Sequence, residues 1–542
     1  LTHAPGRGRQ RGGPVSGTPP SSGPRTGDLL LFWREVKALA GWPGSRPELD
    51  PAALGEIFST WVNVPPATPF ANVRQLPAGH VAALELGRDE EPPPRRYWHP
   101  SFLPAADDHR FVERAERERM REEVREALTD ASVIRLRADV PVGAYLSGGL
   151  DSSATAALIQ HTTDRRMKTF SVGFKDAAFD ETRWQRLMSQ HLGTDHESIS
   201  VGDAEIAGAF ADVVWHAETP ILRTAPAPLY ALSGLVRSQS YKVVLTGEGA
   251  DEVFCGYNIL REAKVRAFWA RDPGSRRRPR LLTRLYPYLQ QSPAEFLTRF
   301  YGAGLDGADS DPFFSHRPRW NNTGRIAAFF APEVAAAVAA RAPEERLLAS
   351  LPDDFAGWGP VARAQYLEMS LFMAGYLLSS QGDRMLMGHT VEGRFPFLDH
   401  NVAELAGRIP ASVKLAGLQE KALLKAAVAD LLPAEIVTRP KQPYRAPDSA
   451  SFIVGDGAEL AMAMFAEEEL RDVGIFDPQR VAALIRKWRA GRLTGARDNM
   501  AFVGLLSTQL LARQFGDELE GRVAEGTLDS AEIEWRGSAA KP

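Results

Sequence analysis

The order of apolar and polar positions in the middle of the chain predicts alternating helices and strands. Apolar residues at helical spacing predict a helix near residues 112–128. An apolar strand over 140–146 runs into a glycine turn and a helical segment over 154–160, and further apolar strands cover 168–174 and 242–245. This alternation is typical of a parallel sheet with helices on its faces. Its ligands are expected beyond the carboxyl ends of the strands.

The carboxyl-terminal half has a different pattern. From about residue 332 to 515 the sequence is rich in Ala and Leu at helical spacing, which predicts a mainly helical region. Residues 270–325 are rich in Arg, Pro and aromatic residues, and we interpret them either as an excursion or as a cap over the ligand site. Residues 516–542 are expected to form a polar tail.

The amino-terminal region divides into two parts. Residues 1–27 are mostly Gly, Pro, Ser, Thr and Arg, and this composition predicts a disordered leader. Residues 28–100 contain an apolar run and a strand-like segment at 80–86, which indicates part of a domain and a linker rather than a complete domain. A Pro-rich connector precedes the main domain, predicted over 105–515.

Length and composition limit the class of protein. The chain has 542 residues, enough for about three domains, with 44% hydrophobic and 24% charged residues. No apolar stretch reaches the ~18 residues of a membrane-spanning helix, and the secretion signal is lacking, so the cytoplasm is the expected location. A net charge of -4 gives no basic surface for nucleic acid. A single cysteine, Cys255, excludes an intramolecular disulfide and a multi-cysteine metal site.

Lysines are rare in this chain. Only 11 of its 64 basic residues are lysines, and four of them lie between Lys414 and Lys441. Because arginine cannot replace a compact, titratable ammonium group, this cluster is a candidate functional region, although chance clustering is the alternative.

A glycine- and serine-rich loop follows the first apolar strand. Residues 147–153 read Ser-Gly-Gly-Leu-Asp-Ser-Ser and stand between a strand and a helix. Such a loop offers backbone N–H groups, a helix N-terminus and hydroxyl donors to an anion. The lysine of a Walker loop is absent and Asp151 would repel a phosphate, so we infer a pyrophosphate bridged by Mg²⁺. The alternative interpretation is a structural glycine turn.

A second glycine loop is acidic. Residues 246–252 read Thr-Gly-Glu-Gly-Ala-Asp-Glu and bring three carboxylates into five residues. This crowding of negative charge costs free energy unless a cation or an ammonium-like substrate balances it. One carboxylate facing a metal and another acting as a general base would explain it, and a solvated acidic loop is the alternative.

Five separated blocks of the chain resemble the synthetase domain of class II glutamine-dependent asparagine synthetases. These blocks are residues 147–153, 171–174, 245–257, 391–400 and 438–442. The resemblance implies an α/β fold with a parallel-sheet domain like that of the adenine nucleotide alpha hydrolases and a mainly helical carboxyl-terminal half. It also implies that a remnant of an Ntn-type glutaminase domain precedes this domain.

The resemblance further implies an enzyme that adenylates the aspartate side chain with ATP, releases pyrophosphate and lets ammonia attack the acyl-AMP. The implied ATP-binding residues are Leu146, Ser147, Gly148, Gly149, Asp151, Ser152, Val172, Thr246 and Gly247. Asp151 and Asp251 would hold Mg²⁺ and pyrophosphate. Glu248 would take a proton from ammonia, Lys441 would place its charge on the phosphate, and Asp383 would orient this network.

The chain departs from this family in its amino-terminal part. Family members begin with a cysteine that hydrolyses glutamine, whereas Leu1 stands here and residues 28–87 resemble only the end of the glutaminase domain. Cys255 lies inside the synthetase motif and is expected to be a packed residue. We therefore expect no glutamine hydrolysis and the use of free ammonia or of ammonia from a partner. A lost upstream start is the alternative.

Other functions are alternatives to this one. Beta-lactam synthetases and lasso-peptide cyclases resemble the chain, but beta-lactam synthetases have a tyrosine where Glu248 stands, which favours ammonia as the nucleophile. An amidotransferase that acts on another carboxylate and a nucleotide-binding pseudoenzyme stay as alternatives. The expected binding partners are small molecules: a carboxylate, with aspartate expected first, and ammonia. For protein partners, a homodimer and a separate glutaminase subunit are the two alternatives.

Overall fold

The computed structural model describes most of the chain. The described residues are 2–5, 30–40, 46–83, 93–108, 110–163, 166–285 and 294–525. Most of the predicted leader 1–27 and the end of the predicted tail 516–542 lie outside them.

The described strands are labelled β1 to β10 in chain order. They are Thr2–Pro5, Leu30–Trp33, Arg74–Gln75, His80–Val81, Arg95–Arg96, Val142–Tyr145, Lys168–Phe174, Asp195–Val201, Val243–Leu245 and Glu392–Arg394. Strands β2, β1 and β3 form a small antiparallel sheet, and β4 pairs with β5.

The central sheet has five parallel strands in the order β10-β9-β6-β7-β8. The chain runs outward from β6 through β7 to β8, then returns to place β9 on the other side of β6. A crevice forms where such a sheet reverses its strand order, beyond the carboxyl ends of the strands. The turns after β6 and β9 are therefore brought side by side, which places the two glycine loops in one crevice.

The α-helices of the described residues are labelled α1 to α25. They are Val36–Ala40, Pro51–Thr60, Ala105–Asp108, Arg114–Ile134, Leu150–Thr162, Thr182–Leu192, Asp203–Ala217, Pro226–Ser238, Ala250–Val253, Asn258–Ala270, Ala294–Gly302, Arg317–Gly324, Pro332–Ala340, Glu344–Ser350, Pro360–Leu367, Arg384–Met387, His400–Gly407, Ala411–Lys414, Ala422–Val428, Ala434–Thr438, Gly455–Met464, Glu467–Val473, Pro478–Arg489, Ala496–Phe515 and Leu519–Glu525. A π-helix covers Glu368–Asp383. The 3-10 helices are Arg278–Arg284, Leu305–Gly307, Arg325–Phe329, Phe355–Gly357, Pro396–Leu398 and Ser449–Phe452.

The central sheet separates two large hydrophobic cores because successive side chains of a strand point to opposite faces. Around the end of β6, Tyr145 packs into one core, while Ala144 and Leu146 pack into the other. The first core also contains Leu54 of α2 together with Leu506 of α24. The described part of residues 28–100 therefore shares its core with the main domain.

The structure confirms the alternation of helices and strands but adds elements to it. Strand β7 lies over the predicted residues 168–174, and α4 and α5 lie where helices were predicted. The pattern did not predict β8, where polar and apolar residues mix on a half-exposed strand, or the three-residue β10. Residues 2–5 form β1, whose backbone pairs with the backbones of β2 and β3.

The described residues of 270–325 divide between two hydrophobic clusters. Leu282, Tyr301 and Phe314 belong to a small cluster outside the two main cores, whereas Phe313 and Trp320 belong to the first main core. None of the described residues in this segment lines the cavity at the carboxyl ends of the central strands. Among the described helices, none combines the length and the apolar character needed to cross a membrane.

Candidate active site

A cavity of about 600 Å³ opens beyond the carboxyl ends of β6, β7 and β9. The structure brings ten of the residues suggested by the sequence to its wall. They are Leu146, Ser147, Asp151, Ser152, Val172, Thr246, Gly247, Glu248, Asp251 and Lys441. Gly148 and Gly149 lie behind the wall, in the turn that shapes it.

The turn after β6 needs its glycine. Gly148 has a φ of +74°, and a Cβ atom there would lie 2.5 Å from the backbone carbonyl carbon of Trp184 on α6. Hydroxyl groups hold the turn from inside: Ser152 Oγ accepts from the N–H of Ser147 at 3.1 Å, and Ser147 Oγ accepts from the N–H of Gly149 at 3.2 Å. Helix α5 then begins directly at the cavity, with its positive end toward it.

The turn after β9 packs against this first turn. A Cβ atom on Gly247 would lie 2.7 Å from the backbone nitrogen of Ser152, so only glycine permits the contact. Gly249 has a φ of +93° and turns the chain into α9. The close packing fixes the distance between Asp151 on one turn and Asp251 on the other.

Two lysines bridge these two aspartates. Lys421 Nζ lies 2.5 and 2.6 Å from the Oδ atoms of Asp151 and 2.6 Å from Asp251 Oδ1. Lys441 Nζ lies 2.5 Å from Asp251 Oδ2 and 3.6 Å from Asp151 Oδ2. Lys421 was not among the predicted site residues, but the lysine cluster between 414 and 441 was the signal that contained it.

A glycine makes room for this arrangement. A Cβ atom on Gly256 would collide with Asp251 Oδ1 and with Lys421 Cε. Lys421 itself has a φ of 51° and stands immediately before α19, with only 2% of its side chain exposed. The buried charge cluster is thus built from three separate parts of the chain.

The charges of this cluster oppose the effect of burial on the pKa values of its members. Burial alone would raise the pKa of Asp251, but the ammonium groups of Lys421 and Lys441 lower it. Burial would likewise lower the pKa of Lys441, but Asp251 and Asp151 raise it. Asp251 and Lys441 are therefore both ionised at neutral pH.

The two glutamates of the acidic loop behave differently. Burial raises the pKa of Glu248 to about 7, with a further contribution from the charge of Asp151. Burial and the adjacent Asp251 raise the pKa of Glu252 to about 8. A carboxylate with a pKa near neutrality is suited to take up and release a proton.

Asp151 and Asp251 are the side chains that fit a divalent cation. The described residues contain no group of three or more His, Cys, Asp or Glu side chains that could hold a metal ion by themselves. Mg²⁺ in nucleotide sites often uses only one or two carboxylates, together with phosphate oxygens and waters. The two aspartates therefore fit Mg²⁺ that arrives with a phosphate ligand, and not a cation held by protein groups alone.

The segment that carries Lys441 folds over the first glycine turn. Arg439 donates to the carbonyl oxygen of Gly148 at 3.2 Å, forms an ion pair with Glu181 and lies 5.0 Å from the ring centroid of Trp184. The cavity walls come from this segment, from the region after β7 and from the π-helix, rather than from the described residues of 270–325.

Asp383 does not join the other predicted catalytic residues. It stands at the end of the π-helix, which lines the cavity through Met373, Leu377 and Gln381 but not through Asp383. Burial raises the pKa of Asp383, and its charged neighbours include Arg384. Arg384 in turn forms an ion pair with the buried Glu218, and neither residue lines the cavity.

Cys255 is a packed residue in the structure. It is fully buried in a small apolar cluster, and burial raises the pKa of its thiol to about 11. Such a thiol supplies almost no thiolate nucleophile at neutral pH.

We expect the purified chain to release no glutamate from glutamine, because Cys255 is neither accessible nor acidic. Cys255→Ala should give the same result. A coupled glutamate assay on both proteins checks these statements. Glutamate release that disappears in Cys255→Ala would contradict them.

The chain is similar to known proteins over most of its length. Residues 123–513 match the family model described as asparagine synthase. A Mycobacterium tuberculosis protein, provisionally named as a glutamine-hydrolyzing asparagine synthetase, is 31% identical over 437 aligned positions, which cover 78% of this chain and 61% of that protein. The glutamine-hydrolyzing asparagine synthetase 1 of Bacillus subtilis is 26% identical over 411 aligned positions, which cover 74% of this chain and 60% of that protein.

A relative with a different name is similar to the same degree. The Penicillium rubens protein named Amidase chyE is 29% identical over 460 positions, which cover 77% of this chain and 64% of that protein. The chain thus spans less than two thirds of the length of the curated relatives that it matches.

Proposed function

The chain belongs to the asparagine synthase family, and on this premise we propose that it is an ATP-dependent amide ligase that adenylates a carboxylate and transfers ammonia to it. The observation that carries the proposal is the pair of lysine-bridged aspartates, Asp151 and Asp251, beside a glutamate of near-neutral pKa. The lysine-bridged aspartates suit the binding of a polyphosphate, and the glutamate suits proton transfer.

The first half of the proposed reaction makes an acyl-AMP. The glycine turn and the N-terminus of α5 bind the phosphates of ATP, and Leu146, Val172 and Thr246 surround the adenosine. Asp151 and Asp251 would hold Mg²⁺, which would supply positive charge to neutralise the phosphates of ATP. Lys441 stabilises the negative charge that develops on the phosphates as pyrophosphate leaves.

The second half forms the amide. A carboxylate is a poor electrophile toward an amine, and the bond to AMP supplies a leaving group. As ammonia attacks, Glu248 accepts a proton from the nitrogen, which its pKa near 7 permits. An acyl-AMP also reacts with water, so the depth of the cavity serves to keep the adenylate from hydrolysis.

Aspartate is the acceptor that we propose first, with asparagine as the product. Two of these relatives carry the name asparagine synthetase, which supports this choice. The name of the Penicillium rubens relative supports a second candidate, an enzyme that amidates another carboxylate. In both cases we propose that ammonia is taken from solution or from a glutaminase partner.

The test is an ATP–pyrophosphate exchange assay with a panel of carboxylates, followed by amide formation with ammonium and, separately, with glutamine. We expect exchange with aspartate, and we expect AMP and asparagine in equal amounts when ammonium is added. Exchange with a different carboxylate in the panel, and not with aspartate, would favour the second candidate. A protein that binds ATP but supports no exchange with any carboxylate would contradict the proposed ligase.

A further inference from the structure

Five side-chain oxygens in the wall of the active-site cavity are buried and have no hydrogen-bond partner among the described residues. Asp251 Oδ1 has an ion-pair partner in Lys421 Nζ at 2.6 Å, and Glu252 Oε2 belongs to the residue next to Asp251. The other three are Glu248 Oε2, Tyr145 Oη and Tyr444 Oη. Buried polar groups are nearly always hydrogen-bonded, and an unpaired one is costly. Their presence in one cavity indicates a polar group that the cavity receives.

The sheet brings Tyr145 and Glu248 to the same end of two neighbouring strands. Tyr145 is the last residue of β6 and follows Ala144, which pairs with Leu245 of β9. Glu248 lies three residues beyond Leu245 on the turn after β9. The oxygens of Tyr145 and Glu248 therefore come from the ends of two neighbouring strands.

Tyr444 approaches from the segment that carries Lys441. Its ring lies 6.2 Å from the ring of Phe174, the last residue of β7, and β7 pairs with the other edge of β6. Burial, together with Glu248 and Tyr444, raises the pKa of Tyr145, in agreement with the closeness of the three groups. Burial also raises the pKa of Tyr444, so both phenols keep their protons at neutral pH.

The chemistry of the three oxygens limits what can bind there. The carboxylate of Glu248 accepts hydrogen bonds when ionised, and each phenol oxygen can accept one as well. A carbonyl or phosphate oxygen could accept hydrogen bonds from the two phenols, but the ionised carboxylate of Glu248 would repel it. A nitrogen with three hydrogens can donate to all three oxygens, which matches ammonia.

We propose that Tyr145 and Tyr444 are positioning residues that hold the nitrogen nucleophile against Glu248. The assignment rests on the proposed ligase function and adds the binding site of its second substrate. The chemical class of that substrate is ammonia or another nitrogen nucleophile that carries N–H donors.

The step that these residues assist is balanced without any further reactant. The lone pair of the nitrogen forms the new C–N bond, and the bond between the acyl carbon and the AMP oxygen breaks with its electron pair leaving on AMP. One proton moves from the nitrogen to Glu248. The tyrosines keep their protons and hold N–H groups so that the lone pair faces the acyl carbon.

The test uses Tyr145→Phe and Tyr444→Phe in the full chain. Each variant loses one hydrogen bond to the nucleophile, so the KM for ammonium should rise by about tenfold. The KM for ATP and the rate of ATP–pyrophosphate exchange should stay at wild-type values, since adenylation precedes ammonia. Hydroxylamine, used as a second probe, should show the same loss in hydroxamate formation.

Tyr366→Phe is the matched control. Tyr366 is a buried tyrosine outside the cavity whose ring packs on Phe355 and Trp358, and its replacement should leave the KM for ammonium unchanged. If Tyr145→Phe does not fold, as judged by its thermal unfolding, Tyr444→Phe decides alone.

Two results would overturn the assignment. The first is an unchanged KM for ammonium in both variants while exchange continues. The second is a parallel loss of exchange, which would place the tyrosines on ATP or on the acceptor. A wild-type chain without exchange on any carboxylate would instead refute the ligase function, and this assignment would fall with it.

Discussion

Glu248→Gln should reduce amide formation from ammonium by about a hundredfold to ten-thousandfold, the range that a lost general base produces. Glutamine has nearly the size of glutamate and can still hydrogen-bond, but it cannot accept the proton that ammonia must lose. ATP–pyrophosphate exchange should continue, because no nitrogen takes part in adenylation. The measurement compares exchange with amide formation in the same preparation.

Glu392→Gln provides a control for this variant. Glu392 is an exposed carboxylate in β10 that pairs with Arg394 and does not line the cavity. Its replacement should leave both half-reactions unchanged. Amide formation at the wild-type rate in Glu248→Gln would show that another group accepts the proton.

The pH profile gives a second measure of the same group. Glu248 must be ionised to accept a proton, and burial raises its pKa to about 7, with Asp151 adding to the rise and Lys441 opposing it. Amide formation should therefore increase as the pH rises through about 7 and level off above it, at a fixed concentration of free ammonia. This rise of the rate with pH should be missing in Glu248→Gln and present in Glu392→Gln.

Lys441→Met should reduce the rate of ATP–pyrophosphate exchange by about a hundredfold to a thousandfold. This is the loss of rate expected when one group that stabilises the developing negative charge is removed. Lys441 is charged and lies 2.5 Å from Asp251, within the cavity where pyrophosphate is expected to leave. Lys421 still bridges the two aspartates in this variant, so the fold should be kept.

The control for this prediction is Lys242→Met, which removes an exposed lysine at the start of β9. Lys441→Arg should restore little activity, because a planar guanidinium cannot replace a compact ammonium at this position. Thermal unfolding separates loss of function from loss of structure. Exchange within about tenfold of the wild-type rate in Lys441→Met, a smaller loss than such a group produces, would contradict the role given to this lysine.

The local signals in the sequence were sufficient for the two glycine turns. Residues 147–153 and 246–252 each follow a short apolar strand, and the glycines at 148 and 249 have the positive φ that such turns need. A strand, a turn and a helix start are each determined by residues close together in the chain. Asp151, Glu248 and Asp251 could therefore be identified from the order of residues alone.

The place of Asp383 depends on packing. The resemblance implies a role for Asp383 in the catalytic network, whereas the π-helix turns Met373, Leu377 and Gln381 to the cavity and leaves Asp383 beside Arg384. Which side of a helix faces a site depends on the packing of that helix. A pattern of residues along the chain does not contain this information.

By itself, the sequence determined the parallel sheet, the position of the glycine turn at 147–153 and the presence of a carboxylate loop, because strands and tight turns depend on short-range backbone preferences. The tertiary structure alone decided that Lys421 and Lys441 meet Asp151 and Asp251, more than 150 residues away along the chain. It also placed two tyrosine hydroxyls in the wall of the cavity that contains Glu248. Such long-range contacts arise only when separate helices and strands pack around one core, so their chemistry becomes visible only in the folded protein.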